Sequence, residues 1–68
     1  MFHILHIPTG KLVHAYTAPT WETAGIYYTL DFTGTLVSYK YKSLALAMLK
    51  IIAGRVKIDP AEFELIHV

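Results

Sequence analysis

Hydrophobic and polar positions alternate along several short segments of the chain, a pattern typical of β-strands. The first two segments are residues 2–7 and 11–16, and the Pro-Thr-Gly between them predicts a hairpin turn. A two-residue loop at positions 9–10 sets Ile7 opposite Leu12. Both faces of this ribbon are mostly apolar, so we expect it to be covered on both sides or to lie against a partner.

A second hairpin is predicted from residues 26–32 and 35–41, with Thr33-Gly34 as its loop. This register brings three apolar pairs to one face: Leu30 with Val37, Tyr28 with Tyr39, and Ile26 with Tyr41. A slip of one residue would move these side chains to opposite faces. Residues 17–25 are predicted to connect the two hairpins.

A helix is predicted over residues 44–53, which are rich in Leu, Ala, Met, Lys and Ile. Ser43 is the expected N-cap and Gly54 the expected stop. The apolar positions cover an arc of about 220° on the helical wheel, which is wider than a helix on one sheet requires. We therefore expect part of the helix to contact something other than its own sheet.

The C-terminal segment predicts a short extended piece at 55–58, a capped turn and a last strand at 63–68. Asp59 is a suitable cap, Pro60 suits the first helical position, and Glu62 lies three residues after the cap. The predicted fold is a single α+β domain spanning residues 1–68. It consists of an antiparallel sheet of four to five strands, from two hairpins and the C-terminal strand, with one α-helix packed on a face.

Composition restricts the setting in which this fold works. The chain has 54% hydrophobic and only 16% charged residues, so intrinsic disorder is excluded. It contains no cysteine, which excludes disulfide frameworks, thiol catalysis and Cys-based zinc sites. The start of the chain does not resemble a secretory signal, and the apolar run from Leu44 is too short to span a membrane. We expect a soluble, intracellular protein.

The cations are concentrated in one segment. Positions 40–57 hold five of the six Lys and Arg residues and no acid. They carry +5, whereas the five acids and Lys11 sum to −4 elsewhere, which gives the net +1. The alternation of Tyr and Lys at 39–42 has the elements of single-stranded nucleic-acid binding. The simpler interpretation is a solvated lysine face, with Tyr39 and Tyr41 in the core. The candidate nucleic-acid contacts are Lys40, Lys42, Arg55 and Lys57.

Catalytic and metal-binding chemistry receives little support. His3 and His14 share one face of the first hairpin, but a zinc site needs three or four ligands. The Gly-Lys pair at 10–11 lacks the earlier glycine and the following Ser or Thr of a phosphate-binding loop. We expect no enzymatic activity and no cofactor, and we assign no metal ligands; metal binding by His3 and His14 is kept as a third hypothesis.

Two terminal segments, FHILHIPTGKLV and DPAEFELIHV, resemble small uncharacterised proteins of tailed bacteriophages. The resemblance implies a protein that works in the host cytoplasm by binding and modulating or inhibiting a host or host-defence protein. The apolar surplus also favours a homodimer. Single-stranded nucleic-acid binding through residues 40–57 is the alternative function. The candidate partner-binding residues are Trp21, an anchor between elements, and Tyr27, Leu46 and Lys50.

Overall fold

Six β-strands, one α-helix and a 3-10 turn make up the described part of the computed structural model, which covers residues 1–19, 24–32 and 34–68. In chain order the elements are β1 (Phe2–His6), β2 (Lys11–Leu12), β3 (His14–Pro19), β4 (Ala24–Thr29), β5 (Thr35–Leu36), α1 (Lys42–Val56), the 3-10 turn (Pro60–Glu62) and β6 (Phe63–His67). The strands form two antiparallel sheets of three strands each. The α+β class is therefore confirmed, whereas the single sheet of four to five strands is wrong.

The first sheet has the order β2-β1-β6, with β1 in the centre. The predicted hairpin is present only in part, because residues 14–16 pair with the second sheet and not with β1, and Leu12 pairs with Leu5 rather than with Ile7. The loop has four residues instead of two, and it closes where the N–H of Gly10, at φ +67°, donates to the carbonyl of His6 over 2.9 Å. Because the shift is two residues, the side chains keep the faces that the alternation predicts.

The second sheet has the order β4-β3-β5 and contradicts the predicted second hairpin. The segment that starts at Ile26 pairs with β3, not with β5, so Ile26 lies opposite Thr17 and Tyr28 opposite Ala15. β5 instead pairs with the other edge of β3. The predicted connector at 17–25 belongs to β3 and β4 at its two ends. The alternating pattern of β4 specifies which face each of its side chains occupies, but not which strand lies beside it. β3 and β5 are equally compatible with that pattern.

The two sheets are joined through Val13 and a short bridge. Val13 lies between β2 and β3 and is 1% exposed. Its N–H donates to the carbonyl of Ile4 and its own carbonyl accepts from Val37, over 2.9 and 3.1 Å. Phe2 and Tyr39 exchange two backbone hydrogen bonds, of 2.6 and 2.9 Å. The strand from 11 to 19 therefore passes from one sheet into the other.

The helix is longer at both ends than its sequence predicts. It begins at Lys42 after Tyr41, which makes no side-chain cap, so the predicted N-cap at Ser43 lies inside the helix. Gly54 is also inside, and the left-handed residue that ends the helix is Lys57, at φ +59°. The N–H groups of Lys57 and Ile58 both donate to the carbonyl of Ala53, which satisfies the helix end without the predicted glycine.

The C-terminal turn and strand confirm their prediction. Asp59 Oδ1 accepts a hydrogen bond of 2.9 Å from the N–H of Ala61, and Pro60 occupies the first turn. β6 then pairs along the whole of β1, with Phe2 opposite His67. The predicted extended piece at 55–58 is wrong over its first three residues, because Arg55 and Val56 are helical and Lys57 is left-handed.

The core lies between α1 and the first sheet. The helix packs against β1, β6 and the nearer strand of the second sheet, β4. The buried apolar cluster is formed by Ile4, Val13, Val37, Leu49, Ile52, Ala53 and Phe63. None of these residues belongs to β3, β4 or β5.

Candidate protein-interaction surface

The helix has one buried side and one broad exposed side. Its buried side chains are Ala45, Leu49, Ile52 and Ala53. Its large exposed apolar side chains are Leu44, Leu46 and Ile51, with 48%, 45% and 49% of their surface accessible. A helix whose only function is to cover a sheet normally carries polar residues at such positions.

Four exposed residues, which we call the helix stripe, lie along one line of this side. They are Leu44, Ala47, Ile51 and Gly54. Their spacings of three, four and three residues keep them on one face of an α-helix. Large residues alternate with small ones, so the stripe has two projections and two depressions.

Cations flank the stripe, and the helix itself supplies no acid to neutralise them. Lys50 and Arg55 are exposed, and no Asp or Glu occurs between Asp31 and Asp59. Arg55 uses one N–H group to donate to the backbone carbonyl of Ile26, over 3.2 Å. Since the guanidinium has five such groups, most of its donor capacity remains available to a partner.

A groove of about 400 Å³ separates the C-terminal end of the helix from β4. Its lining residues are Gly25, Ile26, Tyr27, Tyr28, Arg55 and Val56. β4 is an edge strand and carries no charged side chain. The contact of Arg55 with the Ile26 carbonyl therefore caps part of an edge that has no charge of its own.

Aromatic side chains occupy the outer face of the second sheet. Tyr16 and Tyr27 stack across β3 and β4, with ring centroids 5.6 Å apart and planes at 23°. His14 contacts Phe32 edge to face at 5.6 Å, and Phe32 is 81% exposed. This is a second exposed apolar area, distinct from the helix stripe.

Three of the histidine side chains make hydrogen bonds within the fold. The Nδ1 atoms of His3 and His14 lie 3.1 and 3.0 Å from the carbonyl oxygens of Val37 and Leu12, so each must donate its proton there. His6 is buried, and its two ring nitrogens contact Thr9 Oγ1 at 2.8 Å and Glu62 Oε1 at 3.3 Å. Among the described residues, no three His, Asp or Glu side chains converge as a metal site would require.

The structure separates the predicted partner-binding residues. Leu46 and Lys50 are both exposed and lie one turn apart on the helix. Tyr27 belongs to β4, where it stacks on Tyr16. Trp21 lies outside the described residues.

The predicted nucleic-acid contacts fall at the two ends of the helix. Lys40 and Lys42 lie at its start, and Arg55 and Lys57 at its end. The expectation that Tyr41 is a core residue is wrong, because it is 62% exposed and directly precedes α1. The Lys40 Nζ atom lies 5.7 Å from its ring centroid.

Sequence reasoning missed Leu44, Ile51 and Gly54 as surface residues. Their spacing was visible, but the apolar arc of the helix is so wide that pattern alone does not reveal which part faces outward. The arrangement of the two sheets decides which part of the helix faces outward, because β1, β6 and β4 cover only the side that carries Ile52.

Comparison with known proteins finds no matching family model, no matching curated protein and no matching solved structure. Within the described ranges, no helix combines the length and the apolar character needed to cross a membrane.

Proposed function

We propose that this protein is a non-enzymatic protein-binding module that uses the outward side of α1 as its contact surface. One observation carries the proposal: Leu44, Leu46 and Ile51 each keep about half of their surface exposed on a helix whose opposite side already forms the core. Leu44 and Ile51 lie on one face of the helix with Ala47 between them, whereas Leu46 lies on the other flank of the exposed side. Neighbouring exposed apolar side chains are typical of protein interaction sites, whereas single exposed ones are not informative.

The helix is a suitable platform for binding because the core holds it in place. Ala45 and Ile52 are fully buried and alternate along the helix with the exposed residues. A partner would therefore meet side chains on a fixed backbone and would not have to order a flexible segment, which lowers the entropy cost of association. We further propose that the target is a host or host-defence protein that binding modulates or inhibits, which follows from the phage origin expected from the sequence.

The test compares two isoleucines of equal exposure. Ile51 is 49% exposed on the helix, and Ile7 is 50% exposed in the loop after β1. Affinity-tagged wild type, Ile51→Ser and Ile7→Ser would be isolated from the native host, and the associated proteins quantified by mass spectrometry. We expect a partner that the wild type and Ile7→Ser recover and that Ile51→Ser loses.

Circular dichroism of the three proteins would check that Ile51→Ser still folds. If Ile51→Ser recovers the same proteins in the same amounts as the wild type, the helix side is not the contact surface.

A second candidate function is single-stranded nucleic-acid binding. The observation in its favour is that Lys40 and Lys42 flank the exposed ring of Tyr41, in a segment without acids. Fluorescence anisotropy with a labelled oligothymidine would show binding that weakens steeply with salt and on Lys40→Ala/Lys42→Ala. Lys11→Ala is the control, and absence of binding at low salt excludes this function.

A further inference from the structure

We propose that the partner element that binds the helix stripe is an acidic amphipathic helix. This inference rests on the proposed protein-binding function and specifies the chemistry of the partner. It draws on three separate features of α1: the spacing of the stripe, the presence of a glycine within the helix, and the signs of the flanking charges.

The spacing of the stripe matches the repeat by which helices pack lengthwise. With Leu44 assigned to heptad position a, Ala47 is at d, Ile51 at the next a and Gly54 at the next d. A partner helix would place its own apolar side chains into the depressions at Ala47 and Gly54. Leu44 and Ile51 would in turn fill the spaces between its side chains.

Gly54 has no explanation within the chain. It lies inside the helix, its φ is not positive, and a Cβ atom added there would meet nothing within 4 Å. Alanine would therefore fit and would favour the helix, because glycine is a poor helix former. A glycine at an exposed d position is explained when another backbone approaches closely at that point.

The charges beside the stripe select the partner. With the same assignment, Lys50 is at g of the first heptad and Arg55 is at e of the next, and these two positions face a neighbouring helix on either side of the apolar seam. Both are exposed, and no acid lies between Asp31 and Asp59. Complementarity therefore requires Asp or Glu at the facing positions of the partner.

The same charges disfavour a second copy of this chain. In a parallel pair, Lys50 of one copy would face Arg55 of the other, because position g meets the following e. In an antiparallel pair, where g meets g, the Lys50 side chains of the two copies would face each other. Either arrangement brings like charges together beside the seam, which acts against self-association through the stripe.

The experiment uses photo-crosslinking in the native host. A benzoylphenylalanine at exposed Ser43, the g position preceding Lys50, would crosslink whatever binds the stripe, and the same group at exposed Glu64 is the control. Mass spectrometry would identify the crosslinked peptide. We expect a helical segment of another protein, with apolar residues at heptad spacing and acids beside them, that Glu64 does not capture.

Charge reversal supplies the second measurement. Lys50→Glu/Arg55→Glu should weaken binding of the crosslinked segment, made as a synthetic peptide, by at least about tenfold. Lys11→Glu/Lys40→Glu makes the same change in net charge outside α1 and should have a smaller effect. Acid-to-lysine substitutions in the peptide should restore binding to the reversed variant.

The outcomes of these experiments distinguish failure of the acidic-helix inference from failure of the protein-binding function. A crosslinked protein whose captured segment is neutral, basic or not helical overturns this inference but leaves the protein-binding function intact. Capture of a second copy of this chain, or equal effects of the two charge reversals, also overturns it. Capture of nucleic acid, or of no protein at all from Ser43, counts against both.

Discussion

The two sheets have the same number of strands but very different surroundings. The first sheet has α1 on one face, and Ile4 and Phe63 from its strands are buried in the core beside Ile52. Among its side chains that the structure describes, the second sheet contributes only partly buried ones to the core, such as Ala15 and Tyr28, and it exposes Ile26, Tyr27 and nearby Phe32. The first sheet therefore supplies most of the stabilising burial, and the second supplies much of the exposed apolar surface.

This difference shows that a chain of 68 residues has too few helices to cover the faces of both sheets. One helix can cover one sheet, and in so small a domain little remains to cover another. Val13 and Tyr39 join the sheets, so the second sheet depends on the first for its position. Substitutions in each region should therefore have effects of different size.

The largest effect is expected from the core of the first region. Ile52→Ala removes a side chain with 0% exposure and should lower the free energy of unfolding by about 2–5 kcal/mol. The adjacent Ile51→Ala, at 49% exposure, should change it by no more than about 0.5 kcal/mol. Urea denaturation followed by circular dichroism measures both, and equal losses would contradict the assignment of the two helix sides.

The second region is most sensitive at Gly34. A Cβ there would fall on the carbonyl oxygen of Ala15 and lie 2.8 Å from Tyr16 Cβ, at a φ of +87°. Gly34→Ala should therefore cost at least about 2 kcal/mol. Gly10→Ala, at φ +67° but with open space around its Cβ, should cost about 1 kcal/mol. Denaturant unfolding would test the order, and a larger loss at Gly10 would contradict the close approach of Gly34 to β3.

The junction between the sheets should respond to alkaline pH. Burial, with a smaller contribution from neighbouring Tyr28, raises the pKa of Tyr39 above its ordinary value of 10.0. Above that pH the unfolded chain loses this proton more readily than the folded one. The contribution of Tyr39 to the free energy of unfolding is therefore fully present below about pH 10, and it is lost as the pH rises through the pKa of the folded state. Thermal unfolding between pH 8 and about 11 should show a smaller loss for Tyr39→Phe than for the wild type. A Tyr41→Phe control that flattens the profile equally would contradict this origin.

The smallest effects are expected at the C-terminal end of the helix. Gly54→Ala should raise the free energy of unfolding by about 0.5–1 kcal/mol, because the site is helical and unobstructed. Lys57→Gly should also stabilise, by about 1 kcal/mol, because it relieves a left-handed backbone at φ +59°. Thermal unfolding of the purified protein checks both gains. A loss on Gly54→Ala would mean that the glycine serves the fold itself.

The sequence predicted correctly those elements that depend on residues close together in the chain, such as a turn cap or a proline. The turn at Asp59 and Pro60 depends on one cap and one fixed backbone angle, and the strand from Phe63 follows it directly. The partner of β4 was not predictable in this way. Its alternation specifies faces but not neighbours, and the chain crosses to the far side of β3 next to Gly34.

The candidate site was predictable only in part for a related reason. Lys50 and Leu46 are partner-binding candidates from the sequence, and both are exposed. Leu44 and Ile51 are chemically indistinguishable from core residues, and only the position of the sheets makes them surface residues. Gly54 suggested a helix stop because glycine usually ends helices, whereas here Lys57 takes that position.

The pairing of β1 with β6 has a consequence for synthesis on the ribosome. Phe2 pairs with His67, which is 65 residues later in the chain. One edge of β1 therefore stays unpaired until β6 has been synthesised. Contacts so distant in sequence also slow folding, because a long loop must close before they form. We therefore expect this domain to complete its fold only after residue 67 leaves the exit tunnel, and a nascent chain stalled before that point to be prone to aggregation.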